Sequence, residues 1–131
     1  MSDPARTSFK LAEGHSFQQT NGLLHSENDQ PAVVYADGTR WWYDGGHVHR
    51  DGGPAVIHSN GVEEWWWHNR RHREGGPAVT YPATAAITPT LRGVKQWWTT
   101  GQMVREEVPP PVQRYRTMLG EVYTSCFGRE V

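Results

Sequence analysis

Histidine is the commonest metal ligand in proteins, and three of the seven histidines recur in one place in a repeated motif. If each copy of the motif is one β-hairpin, His25, His49 and His72 stand two strand spacings apart, roughly 9.5 Å. One zinc ion holds its nitrogen ligands at about 2.0 to 2.1 Å. His47 and His49 share a strand face but have no evident third ligand. We therefore predict no metal site and no cofactor, and we expect each recurring histidine to hydrogen-bond a neighbouring backbone group.

The densest basic stretch lies at residues 70–73, and the chain carries seven tryptophans. Tryptophan and arginine dominate the energetic hot spots of protein interfaces. In residues 66–71 the second copy breaks the pattern of the first by gaining one extra tryptophan and two arginines. Repeat architecture does not require these residues. We predict a partner-binding surface that contains Trp67, Arg70, Arg71 and Trp98. The basic stretch at residues 70–73 is by itself suited to docking a phosphate or an acidic partner, and the alternative for that stretch is a solvated turn in which Arg73 pairs with neighbouring acidic residues.

Motifs for catalysis are absent from the sequence. It has neither the Gly-x-x-x-x-Gly-Lys-Ser/Thr phosphate loop nor the His-Glu-x-x-His zinc motif. Histidine, aspartate and serine occur, but they fall in repeated positions that structure explains best. The single Cys126 is expected to be a small hydrophobic residue rather than a catalytic thiol. We predict that the protein is not an enzyme and has no catalytic residues.

A repeat positions all of these residues. The motif His-Arg-acid-Gly-Gly-Pro-Ala occurs at residues 49–55 and 72–78, and a looser copy spans residues 25–32. The prolines Pro31, Pro54 and Pro77 are spaced by 23 residues. Such self-similarity is typical of a stack of small supersecondary units.

Each copy predicts one antiparallel hairpin. A β-prone run at residues 55–58 is followed by Asn60-Gly61 and then by an aromatic run at residues 65–67. Asn-Gly or Asp-Gly between such runs favours a two-residue type I′ turn. The first copy has Asp37-Gly38 in that place. In the third copy an inserted loop at residues 82–92 precedes Gly93.

Two aromatic columns run through the copies, and adjacent strand positions point to opposite faces of a sheet. Trp42, Trp65 and Trp97 form one column, and Tyr43, Trp66 and Trp98 form the other. We predict that the first column is a core ladder between hairpins, so that replacing Trp65 by Ala costs about 3 to 5 kcal/mol of stability. The second column needs cover from the N-terminal segment, the C-terminal tail, a second copy of the chain or a target protein.

The frame Trp-Trp-Tyr-x-Gly-Gly-x-x-His-Arg-x-Gly-Gly-Pro-Ala resembles the MORN repeat over roughly residues 14–107. The resemblance implies an elongated single-layer sheet of successive hairpins, and a habit of binding rather than a reaction. His-Arg-x-Gly-Gly-Pro-Ala replaces the usual His-Gly-x-Gly of that family. This variant looks like repeat proteins of bacteria, phages and large viruses.

The predicted fold class is therefore all-β, an elongated single antiparallel sheet with a short C-terminal helix or tail. We divide the chain into an N-terminal segment at 1–13, hairpin repeats at 14–107 and a proline-rich linker with helix or tail at 108–131. Helical spacing in the last part is shown by Val112, Tyr115, Met118, Leu119, Val122 and Tyr123. The helix is expected to fold back on the sheet; a swapped or partner-bound tail is the alternative.

Composition narrows the function. Thirteen basic and fourteen acidic side chains give a net charge of −1, which draws the chain neither to nucleic acid nor to anionic lipid. No apolar run of about 18 residues and no signal-peptide core is present, so we expect a cytoplasmic protein with no membrane contact.

The sequence favours a non-enzymatic module that binds and occludes a protein partner, as a small phage or bacterial inhibitor of a defence complex or an antitoxin does. A homodimer is a further option. The alternative function is a small-ligand or nucleic-acid sponge that uses stacked Trp and the Arg70–Arg73 cluster.

Overall fold

The computed structural model describes residues 6–11 and 13–119, which form fourteen short β-strands and one α-helix. The strands are β1 Arg6–Lys10, β2 Ser16–Thr20, β3 Leu23–Leu24, β4 Val33–Val34, β5 Arg40–Trp41, β6 Tyr43–Asp44, β7 His47–Val48, β8 Val56–Ile57, β9 Glu63–Glu64, β10 Trp66–Trp67, β11 Arg70–Arg71, β12 Val79–Thr80, β13 Lys95–Thr99 and β14 Gln102–Glu107. A single 3₁₀ turn at Pro89–Leu91 lies in the inserted loop, and the helix α1 spans Pro110–Met118.

Ten strands form one antiparallel sheet, in the order β1-β2-β4-β5-β8-β9-β12-β13-β14, with β3 paired to β2. This confirms the all-β prediction of a sheet built from hairpins. The sheet begins earlier than predicted, because Arg6–Lys10 pairs along the whole of Ser16–Thr20. The remaining four strands form two separate two-stranded ribbons, β6–β7 and β10–β11. Each of the two regular copies therefore contributes one hairpin to the sheet and one to a ribbon.

A tryptophan joins the sheet hairpin to the ribbon hairpin. The backbone N–H of Trp42 donates to the carbonyl of Ala55 at 2.8 Å in the sheet, and its carbonyl accepts the N–H of His49 at 3.1 Å in the ribbon. Trp65 makes the same two bonds one copy later. In the third copy the two hairpins merge into β13–β14, and the register shifts at Trp97. The strand thus changes partners at the tryptophan in the two regular copies, whereas in the third copy it keeps β14 as its partner and shifts register.

The turns lie where the sequence predicts them, but the turn type differs. At Asp37-Gly38 only Gly38 has positive φ, +95°, and its N–H donates to the carbonyl of Tyr35. The Asp37 carboxylate accepts the N–H of Thr39 at 2.9 Å. This is a three-residue loop ending in a left-handed glycine rather than a two-residue type I′ turn. Positive φ at two successive residues occurs instead at Asn21-Gly22, Asn28-Asp29, Gly45-Gly46, His68-Asn69 and Thr100-Gly101.

The buried core explains the Pro-Ala end of the motif. Each copy places an alanine and a valine in the sheet interior with at most 3% exposure, at Ala32-Val33, Ala55-Val56 and Ala78-Val79. An alanine lets the neighbouring strands approach closely, and the valine fills the space between them. Each of the three copies therefore contributes the same two small apolar side chains to the core.

The C-terminal helix folds back on the sheet, as predicted. Val112 packs with Val94 and Val108, and Arg116 donates to the carbonyl of Thr90 at 2.9 Å. Met118, predicted on the apolar face, is 79% exposed instead. The predicted helical residues at 122 and 123, and the cysteine at 126, lie outside the described residues. Within the described residues no helix has the length and apolarity needed to cross a bilayer.

Candidate partner-binding groove

An arginine covers a tryptophan ring in each copy. The guanidinium carbon lies 3.9 Å from the ring centre in Arg50–Trp42, 3.9 Å in Arg73–Trp65 and 4.2 Å in Arg105–Trp97. The prediction of an aromatic ladder in this column is wrong in this respect, because a cation rather than another indole lies on each ring. These stacks gain from the attraction between the cation and the ring quadrupole.

The paired glycines of the motif make room for this arginine. Arg50 and Arg73 each donate Nη1 to the carbonyl of the proline four residues later, at 3.1 Å. A Cβ added to Gly53 or Gly76 would lie 3.0 or 2.8 Å from the guanidinium carbon. The second glycine therefore leaves the space into which the guanidinium folds. The alternative in which Arg73 pairs with neighbouring acids is wrong, since its bound partners are Trp65 and a carbonyl.

A groove of about 710 Å³ lies beside Arg73 and runs along the ribbon β10–β11. It combines three consecutive indoles with several cationic groups. Its lining residues are Arg50, Gly52, Trp65, Trp66, Trp67, His68, Arg70, His72, Arg73, Glu74 and Thr100. Aromatic walls with a few polar groups are typical of binding sites.

Two of the four predicted binding residues meet in this groove. Trp67 and Arg70 are direct pairing partners across the ribbon, so their side chains share one face. Trp67 is 51% exposed, and its ring meets the imidazole of His49 edge to face at 4.4 Å. The indole is thus held in place while half of its surface stays open to solvent.

Arg71 and Trp98, the other two predicted residues, lie elsewhere and do not line the groove. Arg71 sits between the rings of Trp66 and Trp98, 5.3 and 4.9 Å from their centres, and approaches Glu64 at 3.4 Å. Burial raises the pKa of Glu64, but hydrogen bonds from His58 and Trp66 and the charge of Arg71 outweigh it, so the pKa is lowered below its ordinary value. These contacts make Arg71 and Trp98 part of the folded framework.

The first copy has an equivalent but smaller space, in which the arginine already binds a carboxylate of the chain. That space is about 340 Å³ and is bordered by Asp29, Trp42 and Arg50. Arg50 donates Nε and Nη2 to the two carboxylate oxygens of Asp29 at 2.9 and 3.0 Å, which lowers the pKa of Asp29. The indole N–H of Trp42 donates to the Asp29 carbonyl at 3.0 Å. In the second copy the position equivalent to Asp29, 23 residues later, is occupied by Gly52.

The sequence did not point to Gly52 or Trp65 as groove residues, because the column of Trp65 recurs in the copies and was assigned to the core ladder. Arg73 was assigned to the basic stretch at residues 70–73 or to a solvated turn, and not to the four predicted binding residues. One difference in the sequence could have revealed the groove. The first copy has Asp29 where the second has Gly52, so only the first of two otherwise matching Arg–Trp pairs has a carboxylate beside it.

The recurring histidines hydrogen-bond backbone groups, as predicted, and these bonds also tie successive hairpins together. The Nδ1 atoms of His25, His49 and His72 accept the first backbone N–H of the next two-residue turn, from Gly45 at 3.0 Å, His68 at 3.2 Å and Thr100 at 3.0 Å. An Nδ1 that accepts a hydrogen bond leaves the ring proton on Nε2 in the neutral imidazole. The ring proton of His49 then points to Asp51, 3.0 Å away.

One cluster in the described residues has metal-ligand types at close range. Ligand atoms of Asp44, His49 and His68 lie within 4.8 Å of one another. Both ring nitrogens of His49 are already engaged, with a backbone N–H and with Asp51, and His68 Nε2 lies 3.2 Å from Asp44. A metal bound through His49 would break one of these bonds. We therefore interpret the cluster as a structural contact between ribbons.

Comparisons with protein-family models, with curated protein sequences and with solved structures found no match to this chain. Its function is therefore inferred from the geometry of the groove.

Proposed function

We propose that this chain is a non-enzymatic, MORN-like binding module that holds a protein partner in the groove beside Trp67 and Arg70. The observation that carries the proposal is the position of Trp67, a large indole that is 51% exposed at the edge of an aromatic and cationic groove. Exposed aromatic side chains beside arginine are characteristic of interface hot spots.

The groove is preorganised for binding. His49 and His68 contact the ring of Trp67 at centroid distances of 4.4 and 5.5 Å. Arg73 is fixed by its stack on Trp65 and by its bond to the Pro77 carbonyl. Side chains that are already ordered lose little entropy on association, which favours affinity.

Binding in this groove is proposed to occlude a surface of the partner. Small size and the resemblance to bacterial and phage repeat proteins support a role as an inhibitor of a defence complex or as an antitoxin, acting in the cytoplasm. The opposing charges of Glu74 and the arginines within one groove favour a protein surface over the uniformly anionic backbone of a nucleic acid.

The test is a selection of groove binders from a displayed random-peptide library on the wild-type chain. Binders are then titrated against the double variant Trp67→Ala, Arg70→Ala. Loss of a hot spot costs at least about 2 kcal/mol, or roughly 30-fold in affinity. The matched control is Phe9→Ala, Arg114→Ala, which removes an exposed aromatic and an exposed arginine elsewhere. Both variants are expected to melt close to the wild type, because exposed substitutions change stability by about 0.5 kcal/mol or less.

The proposal is supported if binders lose affinity for the groove variant and keep it for the control. It is overturned if repeated selections yield only binders that tolerate loss of Trp67 and Arg70. It is overturned equally if affinity falls by the same factor in both variants, because the effect would then be unrelated to the groove.

A further inference from the structure

We infer that Arg73 and Trp65 form an acceptor site for an aspartate or glutamate carboxylate of the partner protein. The inference rests on the proposed function and names the chemical group that the partner presents. It comes from comparing three Arg–Trp pairs of the same chain, of which two already hold a carboxylate.

The first and second pairs present the guanidinium in the same way. Arg50 and Arg73 both lie 3.9 Å above their indoles, and both donate Nη1 to a proline carbonyl at 3.1 Å. A planar guanidinium held at its face and at Nη1 has its Nε–Nη2 edge fixed as well. That edge is the one that Arg50 uses to bind Asp29 in bidentate fashion.

Arg73 differs from Arg50 and Arg105 in having no carboxylate partner among the described residues. Arg50 binds Asp29, and Arg105 donates Nη2 to Glu107 at 2.6 Å. Among residues 6–11 and 13–119, no carboxylate lies within 4.0 Å of Arg73. The position that would supply it by repeat symmetry is Gly52, which lines the groove.

The occupant is assigned as a carboxylate because the chain itself shows the fit. Asp29 satisfies both oxygens on Arg50, the geometry that makes Arg–carboxylate pairs strong and directional. Glu74 borders the groove and disfavours a dianionic phosphate or a run of phosphates. The indoles of Trp65 and Trp67 beside Arg73 fit an apolar neighbour of the acidic residue. The expected partner segment therefore carries an Asp or Glu next to an apolar side chain.

The first test places the carboxylate in the chain itself by Gly52→Asp, with Gly52→Asn as the matched control. Gly52 has φ +75°, close to the +60° of Asp29, and a Cβ added there meets nothing within 4 Å. Both variants carry the same backbone strain, so only charge separates them. We expect the melting temperature of Gly52→Asp to exceed that of Gly52→Asn by about 2 to 6 °C, with the difference shrinking in high salt. Equal melting temperatures would overturn the inference.

The second test uses the chain's own carboxylate loop as a free probe. The capped peptide Ser-Gln-Asn-Asp-Gln-Pro-Ala, residues 26–32 with Gln in place of Glu27 so that Asp29 is its only carboxylate, is titrated into the full chain while the Trp65 indole N–H is followed by NMR. The same peptide with Asn in place of Asp29 is expected to bind about fivefold to tenfold more weakly. The Gly52→Asp variant is expected to respond to neither peptide. Equal responses to both peptides in the wild type would overturn the inference.

Other occupants give different results. A Trp65 shift with an oligothymidylate, and none with the Asp peptide, would reassign the site to nucleic acid. A concentration-dependent dimer that Gly52→Asp abolishes would reassign it to a second copy of the chain. Either result overturns the inference.

Failure of the inference is distinguishable from failure of the proposed function. Groove-dependent binders that contain no acidic residue and tolerate Gly52→Asp would leave the proposed function standing and remove the carboxylate. Absence of any groove-dependent binder would remove the proposed function, whatever the melting temperatures of the Gly52 variants are.

Discussion

The spaces beside Trp42 and Trp65 are built on the same frame but are opposite in character. The first is about 340 Å³ and has acidic side chains at positions 29, 44 and 51; the second is about 710 Å³ and has glycine, tryptophan and glutamate at the matching positions. The frame fixes the Arg–Trp stack, and the variable positions decide what it meets. In the first copy the stack is satisfied within the chain, whereas in the second it faces the groove.

The comparison is tested most strongly by removing the two indoles in turn. Trp42 is only 3% exposed, while Trp65 is half-buried at the groove. We expect Trp42→Ala to lower the free energy of unfolding by about 3 to 5 kcal/mol and Trp65→Ala by about 1 to 3 kcal/mol. The loss of stability now expected for Trp65→Ala is smaller than the loss predicted from the sequence, because Trp65 is only half-buried. Urea unfolding measures both, and a larger loss for Trp65 would contradict the distinction between a closed and an open copy.

A smaller effect is expected from filling the space behind each guanidinium. Gly76→Ala would place a Cβ 2.8 Å from the guanidinium carbon of Arg73, and Gly53→Ala would do the same to Arg50 at 3.0 Å. Displacing Arg73 breaks a stack and one hydrogen bond, about 1 kcal/mol, because the flexible side chain can swing away. Gly53→Ala should cost more, since it also breaks the pair with Asp29.

Thermal melts and groove-binder titrations on both glycine variants separate the two roles. Gly76→Ala should weaken the groove binders far more than it weakens the fold, and Gly53→Ala should weaken the fold more than Gly76→Ala does. If Gly76→Ala leaves binding unchanged, Arg73 has no part in recognition.

The smallest effect is a difference in acid response between the copies. The hydrogen bond from Arg50 lowers the pKa of Asp29 below its ordinary value of 3.8. A lowered folded-state pKa means that the stabilisation is complete above the ordinary pKa and is lost as pH falls through the folded value. Melting temperatures of wild type and Asp29→Asn should therefore differ at pH 7 and converge only below the lowered folded-state pKa of Asp29. Parallel curves at all pH values would show that the Arg50–Asp29 pair contributes nothing.

The spacing of 23 residues and the glycine turns were enough to predict an antiparallel sheet of hairpins, because these signals are local. The type of turn was harder to predict from the sequence. Asp37 satisfies the backbone of Thr39 with its own side chain, and this favours a three-residue loop over the two-residue alternative. The strand at Arg6–Lys10 has little apolar patterning and pairs by its backbone, so its side chains give no signal.

The candidate surface was half predictable. Alternation along a strand already separates Arg70 from Arg71, and applying it to that pair would have removed Arg71 from the exposed face. Trp98 could not be placed from sequence, because its burial depends on packing against Val62 and Ile87 across the inserted loop. The bond between Asp29 and Arg50 spans 21 residues and depends on how one copy stacks on the next.

The histidine-to-turn bonds also set an order of assembly. Each histidine accepts from the turn of the hairpin that follows it, 20 residues on for His25, 19 for His49 and 28 for His72. During synthesis from the N-terminus, every new turn therefore reaches an acceptor that has already emerged. The residues that line the groove extend from Arg50 to Thr100, so the groove is complete only after the hairpin that follows the inserted loop has docked. A nascent chain stopped before that hairpin would display Trp67 and Arg70 without the wall that Thr100 supplies, and recognition would begin only with the last turn.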